Sequence, residues 1–266
     1  MTNLSAQLVE LEISDSGIAH LRLNNGAKRN PLSMRVLSLL LEKLDEIADN
    51  ETIGAVLLSA EGPAFCAGHD LKELQAHRQD EQFIQDLFSL CSIVMTRIVK
   101  LPKPVIALVD GMATAAGCQL VASADLAYAT PLSEFGTPGV KIGLFCSTPM
   151  VALSRKVGRN TAMEMLLTGK TLSAERAQRC GLINDVVSPE DLMRKGYEVA
   201  ENIASFSHRT LAIGKEAFYH QAELELDDAY AFTSKVMAKN MALPDAHEGI
   251  SAFLEKRTPQ WRKKHG

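Results

Sequence analysis

The chain has 266 residues, a formal net charge of −4, 46% hydrophobic residues and 23% charged residues. These values exclude an intrinsically disordered chain, and the length suits one large domain or a domain with a helical extension. The slightly acidic balance gives no support to nucleic acid or an anionic membrane as a partner.

The N-terminal part predicts a hairpin, a helix and a buried strand. Apolar and polar residues alternate over residues 8–13 and 18–23 on either side of a glycine-containing turn, which is typical of a β-hairpin. Ser33 is a suitable N-cap for an amphipathic helix over residues 34–48. The short apolar run at 54–59 indicates a strand buried on both faces.

The middle of the chain alternates between strands and helices. Residues 62–70 form a loop of small residues, and helical spacing follows over 80–100. The run at 105–109 predicts a second buried strand. Residues 115–119 then open another helix, and residues 125–129 close the unit as a strand.

From residue 148 onward the pattern is almost entirely helical. The predicted helices cover residues 150–157, 161–167, 174–179, 189–204, 210–224, 227–242 and 246–256. Strand–helix alternation followed by helices alone predicts an α/β core with a C-terminal helical extension. We expect the core to occupy residues 1–199 and the helical region to occupy residues 200–266.

Cysteine usage and the N-terminus bear on the compartment. The five cysteines are odd in number, irregularly spaced and without a CxxC pair, so neither a disulfide framework nor a zinc site is indicated. They are Cys66, Cys91, Cys118, Cys146 and Cys180. The start lacks the apolar stretch of a signal peptide, and no apolar run approaches the roughly 20 residues of a membrane span. These observations predict a cytoplasmic protein without a membrane partner.

Three loops of small residues carry the predicted chemistry. They lie at residues 64–71, 111–120 and 134–144. Gly68 in the first loop allows close approach of a ligand to the backbone. The second loop becomes a helix N-terminus, where free N–H groups favour negative charge. Two such loops together can direct two N–H donors at one oxygen, which is an oxyanion hole.

These loops, in this order, resemble those of the crotonase superfamily, the enoyl-CoA hydratases and isomerases, and the resemblance covers nearly the whole chain. Its motifs are KRNPLS at 28–33, CAGHDLKEL at 66–74, residues 104–125, FGTP at 135–138, MEMLLTG at 163–169 and SAERA at 173–177. GLFCSTP at 143–149 is similar to the subgroup typified by enoyl-CoA hydratase domain-containing protein 3. The resemblance implies a crotonase (ClpP-like) β-β-α spiral core, followed by a helical extension that forms trimers.

The resemblance also implies where a substrate binds. The thioester oxygen of an acyl-CoA would accept hydrogen bonds from the backbone N–H groups of His69 and Ala116. Coenzyme A belongs to the substrate, so no separate cofactor and no metal are expected. The residues implied in binding it are Lys28, Arg29, Cys66, Ala67, Gly68 and Lys72, with Lys256 and Arg257 reaching the ligand of a neighbouring subunit in a trimer or a dimer of trimers. The alternative for the cations is a solvated surface.

The chain departs from the family pattern at the two catalytic glutamates. Their positions hold Gln119 and Gly139, neither of which can transfer a proton at neutral pH. Ordinary hydratase activity is therefore expected to be weak or absent.

Other residues are candidates to replace the glutamates. Asp70 is the nearest carboxylate in sequence, although a structural role is the alternative, and Cys146 is either a nucleophile or a small buried thiol. The His69 imidazole either reaches the thioester or points away while its N–H serves the oxygen. Glu134 and Ser147 are further candidates of lower weight. His208, His220 and His247 lie on the helical extension and are expected at the surface, and Asp125 is interpreted as a capping or turn residue.

These observations leave three functions open. The first is an enzyme, in the lyase class by homology, that stabilises an acyl-CoA enolate as enoyl-CoA hydratases and isomerases of fatty acid metabolism do. The second is a decarboxylase, because decarboxylation needs no general base to begin. The third is a CoA-binding protein without catalysis.

Overall fold

The structure is a computed structural model that describes residues 7–261. In this part of the chain the strands are β1 (Val9–Ile13), β2 (Ile18–Leu23), β3 (Ala55–Ala60), β4 (Val105–Val109), β5 (Met112–Thr114), β6 (Leu126–Ala129), β7 (Glu134–Gly136), β8 (Leu172–Ser173) and β9 (Asp185–Val186). The helices are α1 (Met34–Asp49), α2 (Leu71–Ala76), α3 (Glu81–Lys100), α4 (Ala116–Ser123), α5 (Ser147–Lys156), α6 (Arg159–Thr168), α7 (Ala174–Arg179), α8 (Leu192–Ala204), α9 (His208–Gln221), α10 (Leu226–Met241) and α11 (Pro244–Glu255).

A six-stranded sheet organises the core, with the strand order β1-β2-β3-β4-β6-β9. The predicted hairpin is confirmed, since β1 and β2 pair antiparallel with Val9 opposite Leu23. The other neighbouring strands are parallel. Every residue of β4 is buried, as its continuous apolar run predicts for a strand covered on both faces. The α/β architecture with C-terminal helices is therefore confirmed.

A small second sheet, which the sequence patterns did not predict, lies beside the main one. It has the order β5-β7-β8. β5 and β7 are parallel, with Thr114 opposite Gly136, and β7 and β8 are antiparallel. An isolated bridge between Cys66 and Ala113 joins the loop after β3 to β5. This sheet thereby brings the three small-residue loops together.

Helix α1, which follows the hairpin, begins directly after its predicted N-cap, Ser33. The Ser33 hydroxyl accepts a hydrogen bond from the Val36 N–H at 3.2 Å, and α1 runs from Met34 to Asp49. Its buried face is Val36, Leu37, Leu40, Leu44 and Ile47.

Three lysines that are buried or half-buried bind carbonyl groups at the ends of core helices. Lys103 Nζ lies 2.6 Å from the Ala48 carbonyl at the end of α1, and Lys156 Nζ lies 2.7 Å from the Ala124 carbonyl at the end of α4. Lys215, from α9, donates to the Ile98 carbonyl in the last turn of α3 at 3.1 Å. A cation at this position satisfies free carbonyls and opposes the helix dipole.

Lys215 also connects α9 to the core through Asp125. Its Nζ is 2.6 Å from Asp125 Oδ2, while Tyr219 donates to Asp125 Oδ1 at 2.9 Å. The Val105 N–H donates to the same carboxylate at 2.7 Å. Asp125 therefore has a structural role, as expected, but it joins β4 to α9 and does not act as the predicted cap or turn residue.

The predicted boundary between the core and the helical extension, at residue 200, falls inside α8. A Cβ placed on Gly196 of this helix would lie 2.4 Å from Leu108 Cδ1, so the helix lies directly on the main sheet. Where the core ends and the extension begins stays a prediction.

Helix α3 has the length and composition of a membrane span, the one such helix among residues 7–261. Five of its side chains are nevertheless buried in the core: Leu87, Cys91, Val94, Met95 and Ile98. Core helices can meet the same criterion, so length and composition alone are weak evidence for a membrane span.

Candidate active site

The three small-residue loops meet at Ala115. A Cβ placed on Gly68 would lie 2.9 Å from the Ala115 Cβ and 3.5 Å from the Ala116 nitrogen, so the first two loops are in direct contact. The Ala115 N–H donates to the Gly136 carbonyl at 2.8 Å, which attaches the third loop. Gly68, Ala116 and the residue after Gly136 are therefore neighbours in the folded chain.

The backbone at this junction adopts unusual conformations. Gly68 has a φ of +92°, which glycine adopts without steric cost. Ala115 has a φ of 50° and a ψ of −118°, which is rare for a residue with a Cβ. Strained backbone of this kind is concentrated at functional sites. Here it turns the chain so that α4 begins at Ala116 with its first N–H group directed out of the helix.

Two backbone N–H groups at the junction have no acceptor. The Gly68 carbonyl accepts from the Leu32 N–H at 2.8 Å and the Asp70 N–H donates to the Leu32 carbonyl at 3.3 Å. The N–H group between them, that of His69, donates no hydrogen bond within residues 7–261, and neither does that of Ala116. Buried N–H groups are nearly always paired, so such a pair of free donors is typical of a site that binds an oxygen.

The His69 side chain is held between Leu32 and Phe88. Its Nδ1 is 3.2 Å from the Leu32 carbonyl oxygen, and its ring meets the Phe88 ring edge-on with 5.0 Å between centroids. Its Nε2 is buried without a hydrogen-bond partner. Burial lowers the pKa of His69, and the hydrogen bond to Leu32 opposes this effect.

Two further polar atoms of these loops are buried and unpaired. Gln119 is 4% exposed and its Oε1 has no partner, while the fully buried Thr137 has an unpaired hydroxyl. Including His69 Nε2, the loops hold three of the five such atoms among residues 7–261. Sequence reasoning missed Thr137, whose only signal was its place between Gly136 and Pro138 in the third loop.

Gly139 has no room for a side chain. A Cβ at this position would lie 2.5 Å from the Leu144 carbonyl oxygen and 2.8 Å from Cys146 Sγ. The Cys146 thiol thus occupies the space where a glutamate side chain at position 139 would begin. Burial raises the pKa of Cys146, which disfavours the thiolate that a nucleophile needs, although a hydrogen bond from the Gly139 backbone opposes the rise.

Of the other candidates from the sequence, Asp70 is engaged in a helix cap, and Glu134 and Ser147 are exposed. Asp70 is the N-cap of α2, and its carboxylate accepts from the N–H groups of Lys72 and Glu73. Glu134 is exposed on β7, whose next residue, Phe135, points into the core. The Ser147 side chain is likewise exposed and forms a long 3.4 Å contact with a backbone carbonyl.

The histidines of the extension lie outside the site. His220 and His247 are exposed, as expected. His208 was also expected at the surface, but it is half-buried. Its Nε2 is 3.2 Å from the Ala204 carbonyl oxygen. A Cβ placed on Gly54 would collide with the same nitrogen.

The residues implied in binding CoA divide into a backbone group and a group of cations. The Ala67 N–H donates to the Arg29 carbonyl at 3.0 Å, so the first loop lies beside the Lys28-Arg29 turn. The side chains of Lys28, Arg29 and Lys72 are exposed and form no salt bridge with the rest of residues 7–261. The same is true of Lys256, which follows α11.

Arg257 differs from these lysines, because Glu248 and Glu255 bind its guanidinium. All five cysteines are free thiols. Burial raises the pKa of Cys66 and of Cys118 to about 12. In the described part of the chain, no three His, Cys, Asp or Glu side chains come together as a metal site would need.

Comparison with known proteins identifies the family. The family model of enoyl-CoA hydratase/isomerase matches residues 14–264. Enoyl-CoA hydratase domain-containing protein 3 of Rattus norvegicus is 47% identical over 245 residues, which are 92% of this chain and 81% of that protein.

Solved structures agree with this assignment. An enoyl-CoA hydratase of Mycobacterium smegmatis superposes with a TM-score of 0.93 at 47% identity, over 97% of this chain and 100% of that one. Human enoyl-CoA hydratase domain-containing protein 3 gives a TM-score of 0.92 at 46% identity, over 96% of this chain and 100% of that one. The crotonase fold implied by the sequence motifs is confirmed.

The comparisons also correct the predicted compartment. The rat relative and the proteins of the same name from mouse, human, Xenopus and zebrafish are all named mitochondrial. The prediction of a cytoplasmic protein is therefore wrong, because reduced cysteines and the lack of a secretory apolar stretch do not distinguish the cytoplasm from mitochondria. The chain belongs to the enoyl-CoA hydratase/isomerase family of the crotonase superfamily, in the subgroup of enoyl-CoA hydratase domain-containing protein 3.

Proposed function

We propose that the protein binds an acyl-CoA thioester and stabilises the enolate of its acyl group, with ordinary enoyl-CoA hydratase activity weak or absent. The observation that carries the proposal is the pair of unpaired N–H groups at His69 and Ala116, in loops that are in contact through Gly68 and Ala115. Two such donors stabilise the negative charge that develops on a thioester oxygen.

The expectation of weak hydratase activity follows from the residues at positions 119 and 139. Hydration needs a group that activates water at C3 and a group that delivers a proton to C2. The Gln119 amide does not titrate near neutral pH and cannot serve as a general acid or base, and Gly139 has neither a side chain nor room for one. Loss of general acid–base catalysis lowers a rate by roughly 10²–10⁴-fold.

The surface around the loops suits the phosphates of coenzyme A. Lys28, Arg29 and Lys72 are exposed and without salt bridges in the described residues, so their charges are available to a phosphate. The Arg29 carbonyl is bonded to Ala67, which keeps these cations close to the loop that holds the acyl group.

The C-terminal helices are proposed to form a trimer or a dimer of trimers. Helix α10 contributes no buried residue to the described part of the chain. Large apolar side chains are exposed on α10 and α11, including Leu226, Tyr230, Phe253 and Leu254. An apolar surface of this kind is typical of a protein–protein interface. Light scattering of the purified protein tests this, and a monomer would contradict it.

Calorimetry with crotonyl-CoA tests the binding. Gly68→Ala would place its Cβ 2.9 Å from the Ala115 Cβ and strain the backbone at a φ of +92°, so we expect at least tenfold weaker binding. Gly158→Ala is the matched control, because its Cβ would meet nothing within 4 Å. Absence of binding to the unmodified protein would overturn the proposal.

A second measurement tests the expected loss of hydratase activity. The conjugated absorbance of crotonyl-CoA is followed in the presence of the protein. We expect slow or no loss of absorbance. Rapid hydration that persists in Gln119→Ala would contradict this part of the proposal.

A further inference from the structure

The loops of the candidate site contain one group that can take up a proton near neutral pH. Of their three unpaired buried side-chain atoms, Gln119 Oε1 belongs to an amide and Thr137 Oγ1 to a hydroxyl. Neither accepts a proton in this pH range, whereas an imidazole nitrogen does. Since both family glutamates are absent, His69 Nε2 is the candidate proton acceptor in these loops.

The hydrogen bond of the other ring nitrogen sets the state of Nε2. A carbonyl oxygen only accepts hydrogen bonds, so Nδ1, which is 3.2 Å from the Leu32 oxygen, carries the hydrogen. In the neutral ring Nε2 then has a free lone pair. The edge-on contact with Phe88 restricts rotation of the ring. A base that is oriented by a second group through its other nitrogen is a recurrent arrangement in enzymes.

His69 contributes two groups to the same loop, since its N–H is one of the two free backbone donors and its Nε2 is unpaired. The thioester oxygen would be bound by the N–H of His69 itself, and C2 of the acyl group is attached to the same carbonyl carbon as that oxygen. We propose that the His69 imidazole is the base that removes a proton from C2 of the bound acyl thioester. This inference rests on the proposed function and adds the proton-transfer residue to it.

The step is a reversible proton transfer. Nε2 takes a proton from C2, and the electron pair of the C2–H bond delocalises onto the thioester oxygen, where the N–H groups of His69 and Ala116 stabilise it. The imidazolium returns a proton to C2. In D₂O the imidazolium exchanges its proton with solvent, so the returned atom is deuterium and no other reactant is consumed.

The surroundings of the ring are compatible with this role. Burial lowers the pKa of His69, which keeps the ring neutral and able to accept a proton at neutral pH. The neighbouring carboxylates are directed elsewhere, since Asp70 accepts from the N–H groups of α2 and Glu73 accepts from the Met34 N–H.

Deuterium exchange at C2 of butyryl-CoA tests the proposal. The protein is incubated with butyryl-CoA in D₂O, deuterium at C2 is measured by mass spectrometry, and binding is measured in parallel by calorimetry. We expect exchange that falls by at least roughly 100-fold in His69→Gln, while binding persists because the backbone N–H remains. Exchange should also fall as the pH is lowered and the ring becomes protonated.

Two further variants separate catalysis from structure. His69→Ala should recover exchange when imidazole is added, which a purely structural histidine would not do. His77→Gln is the matched control, because His77 also has Nδ1 on a backbone carbonyl, that of Glu73 at 3.0 Å, but lies at the end of α2. It should exchange like the unmodified protein.

The outcomes distinguish the role of His69 from the proposed function on which it rests. Binding of butyryl-CoA without exchange, or exchange that survives in His69→Gln, would overturn the role of His69 and leave the proposed function standing. Absence of binding would overturn both.

Discussion

Gly117 lies against Cys66 so closely that a Cβ on Gly117 would be 2.2 Å from the Cys66 carbonyl oxygen and 2.8 Å from the Cys66 Cβ. This contact packs the first turn of α4 against the loop after β3. It keeps the N–H groups of His69 and Ala116 in neighbouring positions, and no side chain at residue 117 would preserve it.

Gly117→Ala is expected to destabilise the protein. The added methyl group must displace backbone atoms, and overpacking of this kind costs about 1–3 kcal/mol in the free energy of unfolding. Urea unfolding measures the change. Gly158→Ala is the control and should differ little from the unmodified protein, because its Cβ would have no neighbour within 4 Å. Equal stability of the two variants would show that the loops are not in tight contact.

Positions 119 and 139, where the family has glutamates, should differ in how well they tolerate a glutamate. Gln119→Glu retains the shape of a side chain that is already accommodated, although burial would raise the pKa of the new carboxyl group. Gly139→Glu would collide with the Leu144 backbone and Cys146. We expect Gln119→Glu to fold normally and Gly139→Glu to lower the melting temperature without adding hydration of crotonyl-CoA. A Gly139→Glu variant as stable as the unmodified protein would contradict this reading of the loop.

The buried pair of Lys215 and Asp125 should contribute far more to stability than a surface pair. Lys215→Met would leave the Asp125 carboxylate without its cation, and removing one partner of a buried pair costs about 3–5 kcal/mol. Arg155→Met is the matched control, since Arg155 and Glu223 are more than half exposed and such pairs contribute about 0–1 kcal/mol. Denaturant unfolding of both variants measures the difference, and similar losses would refute the assigned role of Lys215.

Stability should fall on acidification partly because of His20. Burial, followed by the charge of Arg22, lowers the pKa of His20, while Glu12 and Glu61 oppose the shift. Its Nε2 is 2.7 Å from the Ser59 hydroxyl. Between the lowered pKa of the folded state and about 6.5, the folded state thus binds fewer protons than the unfolded state, so stability is lost as the pH decreases through this range.

The variant His20→Gln isolates this contribution. It should reduce the slope of unfolding free energy against pH, by at most about 1.4 kcal/mol per pH unit. Urea unfolding at several pH values between neutral and mildly acidic gives both slopes. His69→Gln should change the slope in the same direction, because burial lowers the pKa of His69 as well. Parallel curves for His20→Gln and the unmodified protein would rule out a proton-linked role for His20.

The long elements of the fold could be predicted from the sequence because their patterns are local. Residues 34–48 and 80–100 have helical periodicity, and they closely match α1 and α3. The strands β5 and β7 were missed because each has three residues and depends on pairing with segments distant in the sequence. Helix α2 was missed for a related reason, since six residues capped by Asp70 give too little periodicity.

The candidate site was predictable where it depends on chain order and unpredictable where it depends on contacts between loops. The small residues at 68 and 115–117 indicated two backbone donors near one point. Nothing in the sequence indicated that Cys146 fills the space beside Gly139, since this depends on the path of the chain through Leu144. The orientation of the His69 ring also remained open until the positions of Leu32 and Phe88 were known.

The ammonium group of Lys215, which lies in the C-terminal part of the chain, stabilises elements of the N-terminal part. Lys215 of α9 binds a carbonyl in the last turn of α3 and pairs with the carboxylate of Asp125. A polypeptide that stops at residue 199 would lack the Lys215 ammonium and the Tyr219 hydroxyl, and Asp125 would keep only its hydrogen bond from the Val105 N–H among the contacts described above. We therefore expect one cooperative unfolding transition for the whole chain, and folding during synthesis that is completed only after α9 has emerged.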